Sequence, residues 1–483
     1  MKKYFYIIAS LLFLSTYSSC SEKELDLFPP SFDDIADINT ETKLQQFLNG
    51  AYLRVASTTN YGAEIIAFGD ILSDHAYVVN NRYQFAANLN YNSLNNEFAF
   101  YGSMYDIIVS CNTVINNEVV KSNANVVRIK AEAKILRAFS YFTLVNYFSP
   151  TPSSGINQEY GVPLVLTNYD SSITPARATV AEVYNQIITD LNDGLKDAPD
   201  VPFEKVTLSK TAAKLLLSKV YLTRRATGDA QLALQYSNEI LTSSPNVFAP
   251  VSRAQYQPYF AANPEASSEN QPETIWELDL STSNNVVTGI GSNLALPGLF
   301  YRADPNRSIM FTTNFFTSFP DTDIRRKGTE VTVANGLLTT TGAGTPAAGA
   351  WTNKYPRLTE SGIYVRNLKI MRFSEARLNR IEALNLTGQT AIALTELNAF
   401  ASSRGGSTYT GVNLLADILK EREKEFYGEG QRFLDLKRYN QPLIKSSNCT
   451  ANCNVPANDK LFVLPVPQPA LNANPNLNQY PGY

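Results

Sequence analysis

The sequence predicts a mostly α-helical fold of paired, antiparallel helices, interrupted by a loop-rich insertion that carries a few short strands. Two observations support this prediction. On both sides of the chain centre, apolar side chains recur every three or four residues, which is the spacing of one helix face. Residues 246–365 are instead rich in Pro, Asn, Ser, Thr and Gly and contain only short β-like runs. We expect helical blocks at about 41–245 and 366–440, within a single domain at 41–483.

Start and stop signals divide the helical blocks into separate helices. Residues 127–148 form an amphipathic pattern, with an apolar stripe and a basic stripe. A second helix is expected at 180–197, because Thr179 is a suitable N-cap and Pro199 follows the end of the segment. Further helices are predicted at 208–225, 229–243, 369–387 and 389–402.

Small residues recur where these helices would meet. They are Ala131, Ala138, Ala212, Ala213, Ala376 and Ala383. Repeated helix-turn-helix units with alanine at the contacts favour tetratricopeptide-like packing. The units are irregularly spaced and show no strict period, so an ordinary all-helical domain remains the alternative at this point.

The insertion holds both tryptophans of the chain. Trp276 alternates within the strand-like run at 273–280 and is expected in the core. Trp351 follows the low-complexity stretch at 339–350 and is a candidate aromatic platform for a ligand.

The N-terminus has the features of an export signal. In residues 1–19, two lysines precede an apolar run, and small residues precede Cys20. The run is shorter than the roughly 20 residues of a membrane-spanning helix. A cysteine in this place is typical of bacterial lipoproteins, and diacylation of Cys20 would anchor the chain. Tyr17 departs from the usual small residue at its position, so an ordinary secretory peptide is the alternative.

Residues 20–40 are expected to form a lipidated tether, since they are acidic, contain a Pro pair and lack clear periodicity. The whole chain has a formal net charge of −3, and its charges are interspersed. Nucleic-acid binding relies on a basic patch. We therefore expect no nucleic-acid partner.

Cysteine and histidine usage limits the chemistry. Cys449 and Cys453 lie four residues apart in a loop-like stretch, where export would permit a disulfide. Cys111 falls in an apolar helical pattern and is expected to be a buried free thiol. His75 is the single histidine, and no thiol cluster has ligand spacing, so we expect neither a metal site nor a cofactor.

Several blocks, in order along the chain from Cys20 to Tyr483, carry a family resemblance. They are FYGSMYDIIVSCNTVINN, AEAKILRAFSYFTLVNYF with YGVPLV, LSKTAAKLLLSKVYL, IMRFSEARLNRIEALN, LKEREKEFYGEGQRFLDLKRY and LPVPQPALNANPNLNQYPGY. Each block is moderately specific, and the ordered set is strongly specific. The chain resembles the SusD/RagB family of outer-membrane nutrient-binding lipoproteins.

This resemblance implies a SusD-like scaffold and a binding function. Such proteins cover a TonB-dependent (SusC-like) outer-membrane barrel as a lid, capture an oligomeric nutrient and pass it inward. Their lipid anchor and tether hold them at the cell surface, where the barrel is at high effective concentration. Many relatives bind glycans and others take peptides. A glycan is therefore the leading expectation and a peptide the alternative.

The resemblance also indicates a ligand surface in the aromatic, polar and loop-like stretch at 68–91. Glycan-binding relatives carry an Asp and an Arg there that contact sugar, and these positions resemble Asp74 and Arg82. Tyr83 or Tyr77 could offer a ring face. Sugars stack their apolar CH faces on rings while charged groups bond the hydroxyls. An ordinary surface loop with a local salt bridge is the alternative.

The block at 419–439 is expected to be structural. Arg422 intrudes on an apolar helix face, and breaking a buried ion pair costs about 3–5 kcal/mol. An interhelical ion network is predicted, with Glu425, Glu429 and Asp435 available to Arg422, Arg432 and Arg438.

No catalytic residues are expected. The sequence has no G-x-S-x-G motif and no phosphate-binding loop, and one histidine gives no credible triad. A carboxylate glycosidase remains an alternative, since paired carboxylates do acid/base work where a cleft and a raised pKa are present. A helical-repeat adaptor that binds only protein is opposed by the export signal and by the C-terminal resemblance.

Overall fold

The computed structural model describes residues 37–91, 97–202, 204–243, 247–280, 295–301, 307–327, 336–340, 349–356, 366–445 and 449–483. The predicted signal peptide, the anchor at Cys20 and most of the tether lie outside these residues. The predicted fold class is confirmed: the protein is mostly helical, with short strands. Within the described residues, no helix is both long and apolar enough to cross a membrane.

The N-terminal helical block holds the longest helices. Its elements are α1 (Glu41–Val55), α2 (Glu64–Ile71), β1 (Ala76–Val78), α3 (Gln84–Ala87), α4 (Phe100–Ile115), α5 (Ala124–Phe148), α6 (Val180–Asp197), α7 (Lys210–Arg224) and α8 (Asp229–Thr242). The four helices predicted within this block correspond to α5, α6, α7 and α8, so apolar periodicity and capping residues were sufficient to locate them.

Capping side chains determine where these helices begin. At α6, the hydroxyl of Thr179 accepts a hydrogen bond from the Glu182 backbone N–H at 3.2 Å, and the Glu182 carboxylate accepts one from the Thr179 N–H at 2.7 Å. This capping box satisfies two N–H groups that the helix itself leaves unpaired. Between α7 and α8, Gly228 has a φ of 88°, a left-handed conformation that glycine adopts without strain.

The insertion and the C-terminal region carry the remaining elements. They are α9 (Tyr256–Ala261), β2 (Thr274–Leu278), α10 (Leu296–Phe300), β3 (Ile309–Thr312), α11 (Thr313–Thr317), β4 (Leu338–Thr339), β5 (Gly349–Thr352), β6 (Leu368–Arg372), α12 (Phe373–Leu386), α13 (Thr390–Ser403), α14 (Leu414–Phe426), α15 (Arg432–Arg438), β7 (Leu443–Ile444), β8 (Asn454–Val455) and α16 (Gln468–Ala473). The described strands form antiparallel sheets in the orders β1-β3-β5-β4, β2-β6 and β7-β8.

The two helical blocks form one continuous stack. Helices α4 to α8 pack in sequence, α8 then packs against α12, and α13 and α14 extend the stack. The alanines singled out above are all buried in it, which lets the helix backbones approach closely. The insertion therefore lies between two helices that are neighbours in space, and this arrangement agrees with tetratricopeptide-like packing.

One predicted helix boundary is wrong. The segment 369–372 was expected to begin a helix, but it belongs to β6, which pairs with β2. The ammonium of Lys369 contacts the Glu277 carboxylate at 2.7 Å across this pair, and both side chains are buried. The partner strand lies about 90 residues earlier in the chain, so helical periodicity alone could not reveal the pairing. Trp276, also in β2, is fully buried against Phe139, as expected.

The predicted ion network exists, but several of its pairs differ. Asp435 does bind Arg422 at 3.0 Å and Arg438 at 2.8 Å. Glu425 instead contacts three other arginines, all buried: Arg325, Arg372 and Arg404. Glu429 binds Lys354 and Arg372, and Arg432 binds Asp74. The partners from the insertion and from β6 were missed because they are distant in sequence.

Candidate functional site

Two adjoining depressions meet at Asp74, in the turn between α2 and β1. We call them together the Asp74 cleft. They share Asp74 and Lys445, and have volumes of about 100 Å³ and about 350 Å³. The larger volume falls in the usual range of ligand pockets, about 300–1,000 Å³. The smaller depression is lined chiefly by Tyr77, Gln84, Asn88 and Thr450, and the larger by His75, Asn314, Lys420, Glu423 and Arg432.

The Asp74 carboxylate is held by Arg432, the first residue of α15. Two parallel hydrogen bonds of 2.8 and 2.7 Å join the guanidinium to its two oxygens. Burial alone would raise the pKa of Asp74, but these bonds more than offset that effect and hold its pKa below the ordinary value. The carboxylate is therefore ionised at neutral pH and oriented by a fixed partner, with 23% of the side chain still exposed.

His75 forms the floor of the larger depression. Its Nε2 lies 2.8 Å from Asp70 and its Nδ1 lies 3.3 Å from Glu423. Burial opposes protonation of the ring, but its interactions with these two carboxylates, which accept from the charged ring, prevail and raise the pKa of His75 to about 9. Asp70 also accepts from the backbone N–H groups of Gly428 and Gly430. The Asp70 carboxylate thus joins α2 to the turn between α14 and α15, and the charged imidazole bridges Asp70 and Glu423 of α14.

Lys445 lies where the two depressions meet, just after β7. Its ammonium donates to the carbonyl oxygens of Ile71 and Ser73 at 2.7 and 2.8 Å. These groups end α2, and a cation at a helix C-terminus interacts favourably with the helix dipole. Burial lowers the pKa of Lys445 to about 7.

A disulfide loop closes one end of the smaller depression. Cys449 and Cys453 form the disulfide, with Cα atoms 5.6 Å apart, beside the β7–β8 pair. Inside this loop the Thr450 hydroxyl donates to the side chain of Asn88 at 2.7 Å, and Asn452 donates to the Asn88 carbonyl at 3.0 Å. The disulfide therefore holds a polar loop against the segment that follows α3. Cys111 is a buried free thiol, as expected.

Tyr77 is the candidate ring that the structure places in the cleft. It lies on β1, the edge strand of its sheet, opposite Met310 of β3. Its hydroxyl donates to the Met310 sulfur at 3.4 Å. A Cβ added at Gly349 would lie 2.6 Å from this hydroxyl, so the glycine in β5 makes room for the ring. Contact of Tyr77 or Asp74 with a ligand stays a prediction.

Arg82 and Tyr83 lie beside the cleft, and among the described residues neither lines its depressions. The Tyr83 ring is half-buried and packs edge-on against Phe68 at a centroid distance of 5.2 Å. Its hydroxyl donates to Glu64 at 3.3 Å. Burial raises the pKa of Tyr83, and the Glu64 carboxylate raises it further. The loop-like assignment of 68–91 is thus corrected, because the stretch contains the end of α2, β1 and α3.

Trp351 does not offer an exposed platform. It lies on β5 between β3 and β4 and is 1% exposed. The guanidinium of Arg307 lies 5.2 Å from the ring centroid. The low-complexity sequence before Trp351 suggested a surface loop, but strand pairing buries the ring within the sheet.

The chemistry available in the cleft is recognition by charge and hydrogen bonding. The described residues contain no group of three or more His, Cys, Asp or Glu side chains that could hold a metal ion. Sequence reasoning missed Lys445, Asn88 and Thr450 as cleft residues. They come from segments more than 350 residues apart that the final fold brings together, and no local pattern marks such a meeting.

Comparison with known proteins supplies the family. A family model described as starch-binding and associating with the outer membrane matches residues 23–222, and a model of the SusD family matches residues 302–483. A SusD-like protein of Formosa agariphila is 25% identical over the full length of both chains.

Solved structures show the same fold. A Bacteroides vulgatus structure, named as a candidate sugar-binding protein, is 25% identical with a TM-score of 0.80, covering 92% of this chain and 99% of that one. A laminarin-binding SusD-like protein is 22% identical with a TM-score of 0.72, covering 92% of this chain and 100% of that one. Together with the helical stack described above, these matches show that the chain belongs to the SusD/RagB family.

Proposed function

We propose that this SusD-type nutrient-binding protein captures an oligomeric glycan in the Asp74 cleft. The observation that carries the proposal is the cleft itself, whose two depressions are lined by Tyr77, a fixed carboxylate, a fixed guanidinium and several amide and hydroxyl groups. Sugars present apolar CH faces and hydroxyls together, and such a lining suits both. The laminarin-binding relative supports a glycan over other nutrients.

The second part of the proposal is delivery. The protein acts as the lid of a SusC-like, TonB-dependent outer-membrane transporter and passes the captured glycan to it. Cys20 carries the lipid anchor, and residues 20–40 tether the domain at the outer surface of the cell. A tethered lid meets its barrel at a high effective concentration. The outer-membrane association of the matched family supports this location.

Cleavage of the glycan is not part of the proposed function. A general acid in glycoside hydrolysis needs a raised pKa, and Arg432 holds the pKa of Asp74 below its ordinary value. Incubation of the pure protein with a panel of oligosaccharides should return every chain at its original length. Shorter products, absent from a heat-denatured control, would favour the glycosidase alternative.

Binding and partnership are tested separately. In calorimetry against oligosaccharides and peptides of equal length, we expect heat from oligosaccharides, whereas binding of peptides alone would favour the peptide alternative.

Gentle detergent extraction followed by affinity purification should recover a second protein of transporter size. Repeated recovery of this chain alone would contradict the lid role. The variant Cys20→Ala should leave the outer-membrane fraction in cells that lack the transporter, and retention there would contradict the anchor.

A further inference from the structure

We infer that the glycan bound in the Asp74 cleft is anionic, carrying carboxylate or sulfate groups. This inference rests on the proposed function and narrows its ligand class. The observation behind it is an excess of cationic groups around the larger depression. Its wall contains the cations His75, Lys420, Arg432 and Lys445 and the carboxylates Asp74 and Glu423. The chain as a whole has a net charge of −3, so the excess of cations in this depression is opposite in sign to the charge of the whole chain.

The wall carboxylates already have partners. Asp74 is engaged by two hydrogen bonds from Arg432. Glu423 lies 3.3 Å from His75, whose other nitrogen faces Asp70 behind the wall. Four cations therefore face two wall carboxylates and one carboxylate behind them. The surplus positive charge falls on Lys420 and Lys445, because neither forms a salt bridge with the described residues.

These two lysines border the same depression from different elements. Lys420 is exposed on α14, and Lys445 follows β7. An ammonium has three N–H donors, and Lys445 directs two of them to carbonyl oxygens. Lys445 is half-buried, and removing an ammonium from water is costly unless it is paired, so an anionic group in the depression would stabilise its charged form. Burial lowers the pKa of Lys445 to about 7, although the nearby Asp74 carboxylate acts in the opposite direction.

Carbonyl-only pairing of a lysine is not enough to indicate a site. Lys437 donates to the carbonyl oxygens of Asn146 and Ser149 in the same manner, and burial lowers its pKa to about 7 as well. It lies in the interior at the end of α15 and does not border the cleft. Lys445 differs because it lines an open depression together with Lys420, and within the described part of the chain neither lysine forms a salt bridge, so an outside anion can reach both.

The other lining groups favour a glycan over an acidic peptide. Asn314 and Ser318 contribute an amide and a hydroxyl to the larger depression, and the Tyr77 ring lines the adjoining one. The hydroxyls of a sugar chain can hydrogen-bond to amide and hydroxyl groups along its whole length. A peptide instead presents its charges on flexible side chains. An acidic peptide is therefore an outcome of the test.

The test uses the full-length protein in mild detergent and matched pairs of oligosaccharides. Oligogalacturonides and alginate oligosaccharides are compared with their carboxyl-reduced forms, and sulfated galactan oligosaccharides with their desulfated forms. At least one charged member should bind at least about tenfold more tightly than its neutral partner, and the preference should weaken as salt rises. The pair that shows this preference identifies carboxylate or sulfate as the recognised group.

The variants Lys420→Glu and Lys121→Glu separate a local from a general charge effect. Both lysines are exposed, and both changes alter the net charge equally, but Lys121 lies outside the cleft. Lys420→Glu should weaken binding of the charged oligosaccharide by about fivefold or more and should affect its neutral partner less. Lys121→Glu should change neither.

Three results would overturn the inference. Equal or tighter binding of the neutral partners would leave a glycan-binding protein without the anionic preference. Equal effects of the two lysine variants would show that the preference for charged oligosaccharides does not arise in the cleft. Binding of an acidic peptide, with no response to any charged or neutral oligosaccharide, would overturn both this inference and the proposed glycan function.

Discussion

The corner formed by α14 and α15 has an inner and an outer side. Both carry paired arginines and carboxylates, but the two sides differ in how exposed these pairs are. On the inner side, Glu425 contacts three buried arginines, and each of these side chains is at most 1% exposed. On the outer side, Arg432 and Asp74 form a bidentate pair that is 14% and 23% exposed. The inner charges have all their partners within the protein. The outer charges border a cleft and retain access to solvent and ligand.

Comparing the two sides separates the structural charges of one sequence block from its functional charges. The block at 419–439 contributes to both sides, so residue type alone does not assign a role. The charges on the two sides differ in whether all their hydrogen-bond and ion-pair partners lie within the protein. Charges buried with complete partner sets are expected to determine stability, whereas charges at the cleft are expected to determine binding.

The largest expected effect is on the inner side. Glu425→Gln removes the shared counter-charge of three buried arginines and should lower the free energy of unfolding by about 3–5 kcal/mol. Urea denaturation followed by circular dichroism measures this change. Glu396→Gln is the matched control, since its ion pair with Arg380 is partly exposed and should contribute at most about 1 kcal/mol. Equal losses in the two variants would contradict the comparison.

His75 connects the two sides and gives the next effect. Its folded-state pKa of about 9 lies above the ordinary value of 6.5. Its stabilising contribution is therefore fully present below pH 6.5 and is lost as the pH rises through 9. The stability advantage of the native protein over His75→Gln should shrink by about 3 kcal/mol between pH 6 and pH 10.

Urea denaturation at several pH values gives this difference directly. The buried lysines, whose pKa is lowered, act in the opposite direction, but they are present in both proteins and cancel from the comparison. A difference in stability that stays constant with pH would show that folding does not raise the pKa of His75.

Tyr83 sharpens the boundary of the cleft. Because its ring packs against Phe68 and its hydroxyl bonds Glu64, Tyr83→Ala should lower the free energy of unfolding by about 2 kcal/mol. The sequence alone predicts Tyr83 in a loop-like stretch, and removal of a ring from a surface loop would leave folding nearly unchanged. Thermal unfolding of the variant decides between the two. Unchanged stability together with weakened glycan binding would show that Tyr83 belongs to the ligand surface.

The smallest expected effect on stability is on the outer side. Asp74→Asn removes one partner of a partly exposed ion pair and should cost about 1 kcal/mol of stability. Binding of a neutral oligosaccharide should weaken more than this stability change implies, because the variant also loses a charged hydrogen-bond acceptor in the cleft. Parallel denaturation and calorimetry test both statements. A stability loss as large as that of Glu425→Gln would make Asp74 a structural residue.

Much of the fold followed from sequence because the signals are local. The Thr179 capping box and the helical periodicity of 127–148 lie within single segments, and the structure agrees with both. The partners of Glu425 could not be derived, since Arg325 and Arg404 lie 100 and 21 residues away in other elements. The strand β6 was missed for the same reason, because its partner β2 lies far away in the sequence.

The candidate site was predicted only in part. The family resemblance indicated the short segment that contains Asp74 and Tyr77, and the structure places both residues in the candidate cleft. Lys445 and the disulfide loop reach the cleft only through the final fold. Trp351 was assigned to the surface from the composition of its loop, but its burial depends on pairing with β3 and β4, which composition does not encode.

The most direct test of the account is the affinity of Tyr77→Ala for the bound oligosaccharide, measured by calorimetry. Tyr169→Ala serves as the control, because Tyr169 is 62% exposed and lies outside the cleft. If the Asp74 cleft is the ligand site, Tyr77→Ala should lose about 1–3 kcal/mol of binding free energy, which is about five- to 150-fold in affinity. Tyr169→Ala should bind as the native protein does. Undiminished affinity in Tyr77→Ala would place the ligand site elsewhere on the molecule.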